Sequence, residues 1–197
     1  MKIDTPRGEA RVEISRPAGT PASLLVLGHG AGGDVQAADL QAVRAAALAA
    51  NVTVALVTQP YRVAGRKAPA PAGHLDEAWL AVLAALDEGD LPVVTGGRSS
   101  GARVACRTAK AVGAAGVVAL AFPSHPPGKP EKSREDELVT GCPTLVVNGD
   151  RDPFGVPGKR RGVDLVVLSG EGHDLRKDAT AVGSAVLVWL RRHGWAM

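Results

Sequence analysis

Two stretches of the chain hold residue types that together support nucleophilic chemistry. The first, "VVTGGRSSGARVA", contains Gly97-Arg98-Ser99-Ser100-Gly101, a G-x-S-x-G pattern between an apolar run and a helix-like segment. A sharp turn from strand into helix lifts a serine hydroxyl out at the carboxyl edge of a sheet. The positions two before and two after that serine must be small, because strand and helix pass so close there. Gly97 and Gly101 meet the demand, so Ser99 is the expected nucleophile, and Ser100 points into the helix start. A serine also needs a base, and the base needs an orienting carboxylate. The second stretch supplies both: "LVVNGDRDPFG" places Asp150 and Asp152 just after one apolar run, and "VVLSGEGHDL" places His173 just after the next. Asp152 is the expected acid, because the Pro153 turn holds it away from the strand end. Asp150 is expected to pin the turn through backbone amides, although sequence alone does not separate the two, and Asp174 is expected to project elsewhere.

The elements that must position these residues are visible as an alternation. "MKIDTPRGEARVEIS" alternates around Pro6-Arg7-Gly8 and reads as a β-hairpin at a sheet edge. Short, nearly unbroken apolar runs follow at 23–28, 51–58, 91–97, 116–122, 143–149 and 163–169, the pattern of strands buried on both faces of a parallel sheet. Helices are predicted at 34–50, capped by Asp34, at 74–89, at 100–114 and at 178–194, the last with two arginines and a histidine suited to the helix dipole. Strand–helix alternation of this kind predicts a doubly wound α/β fold with a mostly parallel sheet, as a single domain over 1–197, with ligands at the carboxyl ends of the strands.

A competing motif lies in "LLVLGHGAGGDV", where Gly28-x-Gly30-x-x-Gly33 matches a dinucleotide fingerprint. That reading requires an acidic residue about 20 positions on to hold the ribose. No Asp or Glu occurs between Asp39 and Asp76, and the next strand ends in Gln59-Pro60, with Arg62 only beyond them. Neither a nucleotide cofactor nor a metal is expected.

Taken together, the residues resemble those of an α/β-hydrolase, in which the chain order is serine, acid, histidine. The resemblance covers nearly the whole length. More narrowly, the chain is similar to small dienelactone-hydrolase-like proteins grouped with the testis-expressed and NSL-complex-subunit hydrolase-like family. "GHGAGG", "QPYRVAGRKAPAP" (59–71) and "FPSHPPGKPEKSR" (122–134) carry that closer match, beside "GGRSSGARVA". The resemblance implies a Ser99–Asp152–His173 triad, with an oxyanion hole formed by the backbone amides of Ala31, on the loop after the third strand, and Ser100. It also implies a fold without a cap, since only about 20 residues separate two strands where lipases insert one. His29, Arg98 and His125 are expected to border the substrate. Arg62, Arg66, Lys67 and Lys129 would form a basic rim favouring an anionic substrate.

The expected activity is hydrolysis of a small ester, thioester or lactone through an acyl-enzyme. The alternative from another class is a catalytically weak scaffold that serves as a protein-interaction module. Composition narrows the rest. A net charge of +3, in short clusters with little aromatic interleaving, argues against nucleic acid. The N-terminus has no apolar signal core, and the longest nearly apolar stretch, 45–57, is too short to span a bilayer. Two cysteines, Cys106 and Cys142, lack metal-ligand spacing and fit structural thiols in a reducing cytoplasm. A small-molecule substrate and a monomer or small homo-oligomer are expected.

Overall fold

Along Leu24, Leu25, Val26 and Leu27 successive side chains point to opposite faces of the sheet, and all four are buried. Leu24 and Val26 enter one apolar layer, and Leu25 and Leu27 enter the other. Val117 and Ala119 repeat the division against Val118 and Leu120. Burial on both faces is why these runs read as unbroken, and each fully buried Val or Leu stabilises the fold by about 1.5–3 kcal/mol. The computed structural model describes residues 1–86 and 88–197.

Eight strands form one sheet: β1 (Lys2–Thr5), β2 (Gly8–Ser15), β3 (Ser23–Gly28), β4 (Val52–Thr58), β5 (Val93–Arg98), β6 (Gly116–Leu120), β7 (Thr144–Gly149) and β8 (Val163–Leu168). Their spatial order is β1-β2-β4-β3-β5-β6-β7-β8. β1 pairs with β2, and β2 with β4, in antiparallel register; all remaining neighbours are parallel. The α/β architecture, mostly parallel, is therefore the expected one. β8 departs from the expectation of two buried faces. No described strand pairs beyond it, its residues are half-buried or exposed, and Asp164 within it accepts from the Trp189 indole.

Helices α1 (Ala38–Ala49) and α5 (Ala179–Arg192) cover one face through Leu40, Val43, Val186 and Trp189. Helices α3 (Ala72–Ala85) and α4 (Ser100–Thr108) cover the other through Leu75, Trp79, Ala102 and Ala105. A single turn, α2 (Pro60–Val63), follows β4. Three helix boundaries differ from those expected. Asp34 does not cap α1: its carboxylate accepts from the Gln36 amide and closes a turn of its own, and the helix starts four residues later. α3 ends at Ala85, where Leu86 turns extended and packs on the core; of the stretch expected to continue it to 89, Asp87 lies outside the described residues. α4 ends at Thr108, and the chain to 114 runs as turns around Gly113, whose φ of 62° breaks the helix. Asp178 does cap α5, accepting from the Ala181 amide, and Arg191 and Arg192 occupy its last turn.

From β3 the chain crosses to β4 on one side, then returns over β3 to β5 on the other. β3 and β5 thus meet at a topological switch point, where open α/β sheets bind ligands beyond their carboxyl ends. The loop after β3 and the turn after β5 are neighbours there, with Gly28 opposite Gly97. Between β6 and β7 there is one 3-10 turn (Glu135–Leu138) and no helical cap. No helix among the described residues is long and apolar enough to cross a membrane.

Candidate active site

Ser99 sits between β5 and α4 with φ 51° and ψ −110°, a conformation that a residue with a side chain adopts only under constraint. The constraint comes from crowding around one carbonyl. A Cβ added at Gly97 would lie 2.4 Å from the Gly28 oxygen, and one at Gly101 would lie 2.5 Å from the same atom. The chain can make the turn only with hydrogen at both positions. The Ser99 amide donates to the Leu120 carbonyl at 2.8 Å, which fixes the elbow against β6.

The ends of β7 and β8 converge on this serine. His173 Nε2 lies 2.9 Å from Ser99 Oγ, and its Nδ1 lies 2.8 Å from Asp152 Oδ2. With Nδ1–H donating to the carboxylate, Nε2 is left as an acceptor facing the hydroxyl, the arrangement that a general base requires. The Asp152 side chain is fully buried, and its second oxygen accepts from the Phe154 amide at 2.8 Å. Asp150 stands apart: exposed, it accepts from the Gly170 amide and ties the β7 turn to the β8 turn. Asp174 pairs with Arg176 at the surface.

On the opposite side, the loop after β3 presents backbone. The Gly30 carbonyl accepts from the Gly33 amide and from the His29 ring, at 3.2 and 2.8 Å. In a trans peptide the following N–H points the opposite way, so this turns the Ala31 amide away from His29. The His29 ring lies against the Tyr61 ring, centroids 5.8 Å apart, which holds the loop beside α2. Ser100 opens α4, where the first amides have no helical acceptor and the helix dipole favours negative charge. Among the described residues, neither the Ala31 nor the Ser100 amide has an acceptor, and both are free to serve an oxyanion.

The three residues expected at the substrate have other partners. His29 is only 2 % exposed and both its ring nitrogens are taken. The Gln59 amide donates to Nε2 at 3.1 Å, so Nδ1 carries the proton given to Gly30. Burial pushes the His29 ring below the usual histidine range, the Gly30 bond opposes this, and the nearby Arg62 cation reinforces it. Arg98 turns its guanidinium to the buried Asp39 carboxylate and to the main-chain carbonyl of His173. His125 packs on the acid loop instead of on Ser99. Its amide donates to the Phe154 carbonyl, its Nδ1 meets the Pro126 carbonyl, and its Nε2 lies 2.5 Å from where a Gly155 Cβ would stand.

Two supporting residues escape sequence reasoning. The Phe154 ring stacks on the His173 imidazole, centroids 4.1 Å apart and planes at 30°. Its signal was position, two residues beyond Asp152 in a chain with only two phenylalanines. Asn148, fully buried, exchanges both amide bonds with Phe122 and also donates to the Gly155 carbonyl, clamping the β6 and β7 loops together. A lone amide inside "TLVVNG" signals an internal polar contact.

The comparisons agree with this fold. No curated protein matches the sequence. Among solved structures, a lidless serine hydrolase from Xanthomonas campestris superposes with TM-score 0.79 at 20% identity, over 98% of this chain and 93% of that one. A serine hydrolase homologue from Coxiella burnetii gives TM-score 0.78 at 18% identity, over 96% of each chain. Dienelactone hydrolase from Anabaena variabilis gives TM-score 0.75 at 17% identity, over 100% of this chain and 97% of that one. At such identities the likeness is one of fold. The sequence profile described as "Alpha/beta hydrolase domain" matches residues 21–178, most of the chain. The protein belongs to the alpha/beta hydrolase domain family.

Proposed function

We propose that the protein is a serine hydrolase that cleaves a small ester, thioester or lactone through an acyl-enzyme on Ser99. The observation that carries this reading is the continuous hydrogen-bonded chain from Ser99 Oγ through His173 to a buried Asp152. His173 takes the hydroxyl proton as Oγ attacks the carbonyl, and Asp152 holds the ring in the tautomer that can accept it. The Ala31 and Ser100 amides stabilise the oxyanion. His173 then protonates the leaving group, and water activated by the same ring releases the acid. None of these steps calls for a metal or cofactor. The serine hydrolases and dienelactone hydrolase among the structural neighbours support this reaction class. The narrower resemblance to the small dienelactone-hydrolase-like family, a single catalytic domain and a cytoplasmic location belong to the same proposal.

The test is labelling with a small fluorophosphonate, the modified residue being located by mass spectrometry. Stoichiometric adduct on Ser99, absent from the folded Ser99→Ala variant, is the expected result. Folded wild-type protein without adduct would overturn the reading in favour of a non-catalytic scaffold.

A further inference from the structure

Arg98 sits covalently beside the nucleophile, yet none of its donors is directed at the triad side chains. Its Nε donates to Asp39 Oδ2 at 2.9 Å, and its Nη2 donates to the main-chain carbonyl of His173, also at 2.9 Å. Its Nη1 lies 3.1 Å from where a Cβ on Gly30 would stand, so the guanidinium also packs on the oxyanion loop. One cation thus joins α1, the elbow, the β3 loop and the segment that carries the base. Asp39 is fully buried, and its other oxygen accepts from the Leu40 amide. Burial holds the Asp39 carboxyl above the usual carboxylate range, and Arg98 opposes this in part.

We propose that Arg98, neutralised by Asp39, is a positioning residue that ties the His173 main chain to the elbow and so sets the Nε2-to-Oγ distance. The argument is geometric and rests on the hydrolase reading for its chemistry. Ser99 meets the His173 ring, and the adjacent Arg98 meets the His173 backbone, so base and nucleophile are joined at two points and cannot drift apart as a pair of independent loops. Electrostatics explains the carboxylate. A lone half-buried cation at this place would oppose the imidazolium formed when Ser99 gives up its proton. Asp39 supplies the opposite charge from the far side of the guanidinium, so Arg98 can hold the backbone without that penalty. Were the pair needed only for stability, two apolar residues of similar size would replace it at little loss.

That contrast defines the experiment. Arg98→Met alone leaves the buried Asp39 carboxylate without its countercharge and is expected to be destabilised. The double variant Asp39→Leu/Arg98→Met removes both charges together. It is expected to melt near the wild-type temperature but to label with fluorophosphonate about 100-fold more slowly, the effect of a misplaced base. Arg98→Lys keeps the cation beside Asp39 but cannot reach both partners; it is expected to fold and to label about 10-fold more slowly. A stable double variant that labels within about twofold of wild type would overturn the proposal. A second readout does not depend on catalysis: the proton shared by His173 Nδ1 and Asp152 is expected as a downfield NMR resonance, displaced or lost in the double variant and weakened in Arg98→Lys. If wild-type Ser99 fails to label, the hydrolase reading falls, and this resonance still decides the role of Arg98; an unchanged resonance in both variants rejects it.

Discussion

His29 and His173 follow the ends of β3 and β8, on opposite sides of Ser99, and their bonding partners differ in kind. His173 bonds two side chains, the Asp152 carboxylate and the Ser99 hydroxyl proposed to react. His29 bonds two pieces of backbone, the Gly30 carbonyl and the Gln59 amide, neither of which can exchange a proton. A ring bonded to main chain at both nitrogens has one usable tautomer and serves as a strut. A ring between a carboxylate and a hydroxyl has a reason to change protonation. The environment decides which histidine could act as the proposed base, and the strut still bears on the proposed oxyanion hole, because it orients the peptide that ends in the Ala31 amide.

Removing the base gives the largest expected difference. His173→Gln should reduce fluorophosphonate labelling and hydrolysis of short acyl esters by about 10⁴-fold or more, with a melting temperature close to wild type. Residual labelling within tenfold of wild type would transfer the role of base elsewhere. Substitutions at His29 sharpen the contrast at a lower level. In His29→Asn the amide nitrogen stands near the place of Nδ1 and can still hold the Gly30 carbonyl. In His29→Gln the amide reaches the place of Nε2 and can hold only Gln59. The Asn variant should retain kcat within about tenfold, and the Gln variant should lose about 100-fold in kcat with little change in KM, as when one oxyanion donor is lost. Equal kcat values for the two would show that the Gly30 bond does not set the oxyanion hole.

How much of this was legible in the sequence follows from what each feature requires locally. The interior strands were readable because burial on both faces forces unbroken apolar runs, and Ser99, Asp152 and His173 could be placed because each follows such a run. β8 carries a similar run with both faces only partly covered, since it lies at the edge of the sheet, and local pattern does not state strand order. His29 and Arg98 were found by position but given to substrate. Sequence places a side chain at the mouth of a sheet without saying which way its nitrogens face, and here they face the Gly30 carbonyl, Asp39 and the His173 backbone. The stack of Phe154 on His173 joins two loops and the Asn148 clamp joins β7 to the segment after β6, contacts invisible until the strands that carry them are ordered in space.

The smallest expected effect separates the two histidines by stability. Burial, the largest influence on His29, holds its folded value below the ordinary 6.5. Below that pH the unfolded chain binds a proton that the folded ring refuses, so unfolding takes up protons and stability falls as pH drops. The loss begins near 6.5, continues down to the folded value and then levels off, each unit of depression being worth about 1.4 kcal/mol. Urea midpoints at about pH 7.5 and about pH 5.5 should therefore differ for wild type, and the difference should shrink in His29→Asn, which has nothing to titrate there. His173 is present in both proteins and cancels in the comparison. Identical pH dependence in the two would mean that the buried ring accepts its proton without disturbing the loop, and the strut assigned to His29 would have to be carried by Tyr61 and Gln59 alone.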